Sequence, residues 1–203
     1  MADFFTVYFL QSGMGWAVIG AMFAVMFGGM GSARGIRIAA GQGAGVLSEK
    51  PELFGKLLVL IALPGTQGFY GFIVVIMIAV QTGLFGGFLT VTPLGGLALL
   101  AIGFCSGMVF WRSAVFQGET SAACINLTAK KPEEGGRAII LPALVETYAV
   151  VALLAAILLI GKVSPIDEKT KMPGLKVANP AIELQDEAPA AGGSSQPATS
   201  ESK

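Results

Sequence analysis

Glu146 is the residue whose type and setting point to chemistry. It is the single carboxylate in residues 138–160, a run that otherwise reads AIILPALV and TYAVVALLAAILLI and is long enough to cross a bilayer. A charge at the centre of a membrane helix costs roughly 2.5 to 3.5 kcal/mol even on the lenient insertion scale, so such residues face a partner and mark an ion or proton pathway. The residues to look for are those that would help it hold a proton or a metal cation.

Residues 63–70 supply the first of them. Leu63, Thr66, Gln67 and Tyr70 fall at i, i+3, i+4 and i+7, which puts a hydroxyl, an amide and a phenol on one helical face. Pro64 removes a backbone donor, and Gly65 and Gly68 add local freedom, so a main-chain carbonyl near Leu63 is expected to be spared for a ligand. Gln117 joins them through a repeat. Glu49, Lys50, Pro51 and Glu52 recur as Lys130, Lys131, Pro132 and Glu133, and Leu63 and Pro64 before Gln67 recur as Leu141 and Pro142 before Glu146. Gln117 precedes the second turn by about as many residues as Glu146 follows it, so the two belong at equal depth, although hydropathy alone leaves Gln117 at the edge of its apolar run. Arg112 and Glu119 share a face of the same segment and are expected to pair within or between subunits.

The elements that must position these residues are four apolar segments at 13–33, 57–80, 94–116 and 138–160. They predict an all-α membrane protein built as two tandem helical hairpins. An N-terminal segment (1–12) precedes the first hairpin (13–81); a short uncharged outer-side linker (82–93) leads to the second (94–161), which carries Glu146. Residues 162–203, rich in Pro, Ala, Gly and Ser, read as a disordered tail. Small residues line one face of the first segment (Gly13, Ala17, Gly20, Ala24, Gly28, Gly31, Gly35) and of the third (Gly96, Gly103, Gly107, Ala114, Gly118), the pattern that lets membrane helices approach closely. Two such stripes point to the crowded inner wall of a ring.

The bulk numbers agree. Of 203 residues 54% are hydrophobic and 13% charged, and the mean hydropathy is +0.72, values that belong to an integral membrane protein. Basic and acidic residues balance at 13 each with no continuous basic patch, which excludes nucleic acid as a partner. Histidine is absent, and Cys105 and Cys124 lie roughly 28 Å apart along one helix at 1.5 Å per residue, so zinc, iron–sulfur and Cys/His nucleophile chemistry lack ligands. No GxxxxGK[ST] run holds nucleotide phosphates, and the opening MADFF has no basic n-region of a signal peptide. The connections carrying Arg34, Arg37, Lys50, Lys56 and Lys130, Lys131, Arg137 read as cytoplasmic, with the termini outside, while Lys162, Lys169, Lys171 and Lys176 pull the other way.

The stretches LPGTQGFYGF (63–72), FQGE (116–119) and LPALVETYAVV (141–151) together resemble the membrane rotor proteolipid, the K or c subunit, of V-type (V/A-type) ATPases, above all its sodium-pumping bacterial form. The resemblance runs over about residues 10–161. It implies Na⁺ ligation by the Leu63 carbonyl, the Thr66 hydroxyl, the Gln67 and Gln117 amide oxygens and the Glu146 carboxylate, with Tyr70 hydrogen-bonded to Glu146 and no catalytic site in the chain. It further implies a homo-oligomeric ring in the lipid bilayer of a bacterial cell membrane, a stator subunit with a cationic residue, and a central-stalk subunit. H⁺ is the alternative ion, since a proton needs only a carboxyl group. Two readings from other classes compete: a small proton-coupled exchanger, which would want an aromatic cavity although Trp16 and Trp111 lie away from Glu146, and a structural pore-forming ring.

Overall fold

The computed structural model describes residues 6–86 and 91–163; the reading of residues 164–203 as a tail lies outside the described residues. Among the described residues there are four long apolar helices: α1 (Met14–Glu49), α2 (Pro51–Gln81), α3 (Pro93–Lys130) and α4 (Pro132–Ile160). A six-residue π-helical turn, Thr6–Gln11, precedes them. All four helices are long and apolar enough to cross a membrane, and large side chains such as Phe69, Phe72, Leu144, Val151 and Leu158 are exposed on their surfaces, as lipid contact requires.

α1 and α3 overrun their apolar runs. With 36 and 38 residues they reach about 54 and 57 Å at 1.5 Å per residue, well beyond a hydrocarbon core of about 30 Å. Arg34 and Arg37, expected in a connection, therefore lie inside α1, and Gln117 lies well inside α3 instead of at its edge. The first charge ends a hydropathy window but not a helix whose small residues still have a partner to pack against.

That partner is visible in the glycines. Gly96 lies against Gly13, Gly103 against Gly20, and Gly118 against Gly35, so α1 and α3 run parallel in constant register. A Cβ on Gly103 would stand 2.0 Å from the Gly20 carbonyl oxygen, and one on Gly118 2.4 Å from that of Gly35. The small-residue stripes expected to line a ring's inner wall thus close on each other within one chain. α2 packs on α1 and α3, and α4 on α3 and α2.

The turns follow from local chemistry. Pro51 and Pro132 each open a 3-10 turn after a lysine that ends the preceding helix, and Lys50 Nζ donates to the Ala129 carbonyl (2.6 Å) while Lys56 Nζ donates to that of Pro132 (2.9 Å), tying the two hairpin ends together. Thr92 caps α3 by accepting from the Gly95 N–H at 3.1 Å. The helix thus begins at Pro93, the last residue of the expected linker; at the first helical position a proline's missing N–H has no helical partner to lose.

Candidate ion-binding site

α2 is not continuous. Its halves, Phe54–Ala62 and Thr66–Gln81, are joined by a 3-10 turn at Leu63–Gly65. The carbonyl deprived of its donor by Pro64 is the one four residues earlier, that of Leu60. Leu63 is reached by a different route: the tighter turn directs its carbonyl to the Thr66 N–H, and Thr66 Oγ1 donates to the same oxygen at 3.2 Å. Thr66 Oγ1 also lies 3.3 Å from Gln67 Oε1. Three oxygens, on Leu63, Thr66 and Gln67, thus cluster at the break.

The chain of contacts continues to the acid. Gln67 Nε2 donates to Gln117 Oε1 at 2.6 Å, Gln117 Nε2 donates to Glu146 Oε2 at 3.2 Å, and the Tyr70 hydroxyl donates to Glu146 Oε1. Gln67 and Gln117 are fully buried and Glu146 is half-buried. All six predicted residues, drawn from α2, α3 and α4, meet in one place. A half-turn of either side-chain amide exchanges its nitrogen and oxygen, so the same frame can present oxygens to a cation or N–H groups to the bare carboxylate.

Surroundings hold the network in place. One apolar cluster packs on the side away from the turns, with Val74, Phe110, Ala149 and Leu153, and a second on the turn side, with Leu57, Leu60, Cys124 and Ile125. Tyr70 meets Phe110 edge to face, centroids 6.1 Å apart. Among the described residues no three His, Cys, Asp or Glu side chains gather as they would around a multivalent metal, so the oxygens near Glu146 carry one formal charge.

Two supporting residues escaped the sequence reading. Ser32 Oγ on α1 accepts from the Gly68 N–H at 2.8 Å, fastening the helix just past the break. Ser113 Oγ on α3 donates to the Val145 carbonyl at 3.3 Å, beside Glu146. Both sit among small residues on packed faces, and that placement was the available signal. Arg112 does not pair with Glu119 in the chain; its guanidinium lies over the Phe116 ring, 4.8 Å from the centroid.

With this geometry in place, comparison with known proteins is decisive. The family of the ATP synthase C subunit matches the chain twice, over residues 19–78 and 100–159. The chain belongs to this ATP synthase C-subunit family. The double match makes the two hairpins tandem copies of one unit of that family. The V-type sodium ATPase subunit K of Enterococcus hirae is 36% identical over 150 residues, 74% of this chain and 93% of that relative. The A-type ATP synthase subunit K of Methanocaldococcus jannaschii is 41% identical over 142 residues, 70% of this chain and 60% of that relative. As a member of this family the chain is an integral membrane, ion-transporting proteolipid of a rotary ATPase, without a catalytic site of its own. Membership sets aside the exchanger and the structural pore.

Proposed function

We propose that this protein forms, with copies of itself, the rotor ring of a V-type ATPase and carries Na⁺ on Glu146. The ligands are the Leu63 carbonyl, the Thr66 hydroxyl, the amide oxygens of Gln67 and Gln117 and the Glu146 carboxylate, while Tyr70 holds the carboxylate without touching the ion. One observation carries this: a continuous run of polar contacts, each 3.3 Å or shorter, from Leu63 to Glu146 through three polar side chains, two of them fully buried. A hard monovalent cation wants several oxygens, and a single carboxylate neutralises it. A proton would need only the acid, which leaves the amides and the hydroxyl without use. The sodium ATPase relative supports the same ion.

In this reading a stator subunit delivers Na⁺ to Glu146 from one side, and the neutral loaded site turns through lipid. A stator cation then displaces the ion toward the other side, driven by ATP hydrolysis in the soluble head and transmitted by a central stalk. The membrane is the bacterial cell membrane, with the turns at Lys50 and Lys131 cytoplasmic, by the excess of positive charge there. Carbodiimide labelling of Glu146 tests the ion: Na⁺ is expected to protect the carboxyl, increasingly so as pH rises. Labelling indifferent to Na⁺ at every pH would transfer the assignment to H⁺.

A further inference from the structure

The face of α1 and α3 turned away from α2 and α4 carries charges that the ion site does not use. Arg34 and Arg37 on α1 and Glu119 on α3 are exposed. Among the described residues none of them forms an ion pair within the chain, where the salt bridge joins Arg137 to Glu134. Their placement follows from helix geometry, in which two residues are roughly 200° of rotation. Glu119 lies two past Gln117 and so on the side of α3 opposite the ion site, and Arg34 lies two past Ser32, which bonds α2. Arg37 lies two past Gly35, which faces α3. Arg34 and Arg37 border an open groove of about 640 Å³ with Met30, Ala33 and Trp111.

Depth matters as much as direction. Gly35 meets Gly118, so Arg37 and Glu119 differ in height by about one residue, or about 1.5 Å. α2 and α4 expose Leu58, Val59, Leu141 and Leu144 around and beyond that level toward the turns, which places it inside the apolar belt. Charges at such a depth are paired or face a polar partner.

We propose that adjacent copies in the ring are joined by an ion pair between Arg37 of one copy and Glu119 of the next, on the face away from α2 and α4. This rests on the ring reading above. A ring whose axis runs along the helices holds every copy at one height, so only groups already matched in height meet across its interfaces. Arg37 and Glu119 match. Arg112 does not: it is about 10 Å from Glu119 along α3 at 1.5 Å per residue, and it stacks on Phe116 of its own chain.

Two differently tagged full-length copies, both carrying Cys105→Ala and Cys124→Ala, one with Arg37→Cys and the other with Glu119→Cys, are co-expressed and treated in membranes with a short bismaleimide. A product bearing both tags is expected, lost when either introduced cysteine is omitted. Charge reversal gives a second reading: Glu119→Arg is expected to dissociate the ring in mild detergent, and addition of Arg37→Glu to restore it. An intact ring with no doubly tagged product, or one indifferent to the single reversal, overturns the ion pair and leaves the ring standing. A parent chain that migrates as a monomer overturns both.

Discussion

At the residue scale the site couples one charge to a set of neutral oxygens, and each member has a separable role. Tyr70 donates to Glu146. Tyr70→Phe should weaken Na⁺ binding by about tenfold, since a hydrogen bond to a charged group is worth about 1.5 kcal/mol; the Na⁺ concentration that half-protects Glu146 from carbodiimide measures it. Gln117→Leu should cost more, because it strands both the Gln67 amide and Glu146 Oε2. Glu146→Ala should abolish Na⁺ transport by the assembled complex while leaving ATP hydrolysis by the detached soluble head unchanged.

At the element scale the controlling contact is the parallel approach of α1 and α3. It is set by backbone atoms, which cannot move aside as a flexible side chain can. Gly103→Ala puts a methyl 2.0 Å from the Gly20 carbonyl oxygen, and the helices must separate at a cost of at least about 1 to 3 kcal/mol. Gly136 has nothing within 4 Å of an added Cβ, so Gly136→Ala should stabilise slightly, by about 0.5 to 1 kcal/mol. Thermal unfolding of the detergent-solubilised protein should show opposite shifts in Tm for the two. The break in α2 is the second element-scale device. A helix continuous through residues 63–65 would direct the Leu63 carbonyl along its axis to the Gln67 N–H, four residues on, instead of to the Thr66 N–H.

At the scale of the whole molecule, two tandem copies of the family's hairpin carry one carboxylate at the proposed ion site, since Leu63 and Pro64 precede Gln67 in the first copy as Leu141 and Pro142 precede Glu146 in the second. In the proposed rotor four helices would move one ion where two acid-bearing hairpins would move two. Fewer ions per turn provide less driving energy for each ATP made but allow pumping against a steeper gradient. The intact complex should therefore hydrolyse ATP to build a sodium gradient and yield no net ATP at a modest sodium-motive force, as a luminescence assay on reconstituted vesicles would register.

How much of this was legible in the residues varies with the physics behind each part. Membrane insertion, four helices and the duplication are properties of the chain's own pattern, since apolar length and the recurring Lys-Pro-Glu turns need no partner to be read. Glu146 announced itself because a lone carboxylate in an apolar run has no bland purpose. Gln117 was reached only through the repeat: a hydropathy window stops near Phe116, and the continuation of α3 to Lys130 brings the amide between Gln67 and Glu146. Ser32, Ser113 and the mutual closure of the glycine stripes were likewise settled by packing. Periodicity assigns a residue to a face of its own helix, whereas the helix that meets that face, and at what height, depends on the joint fit of all four.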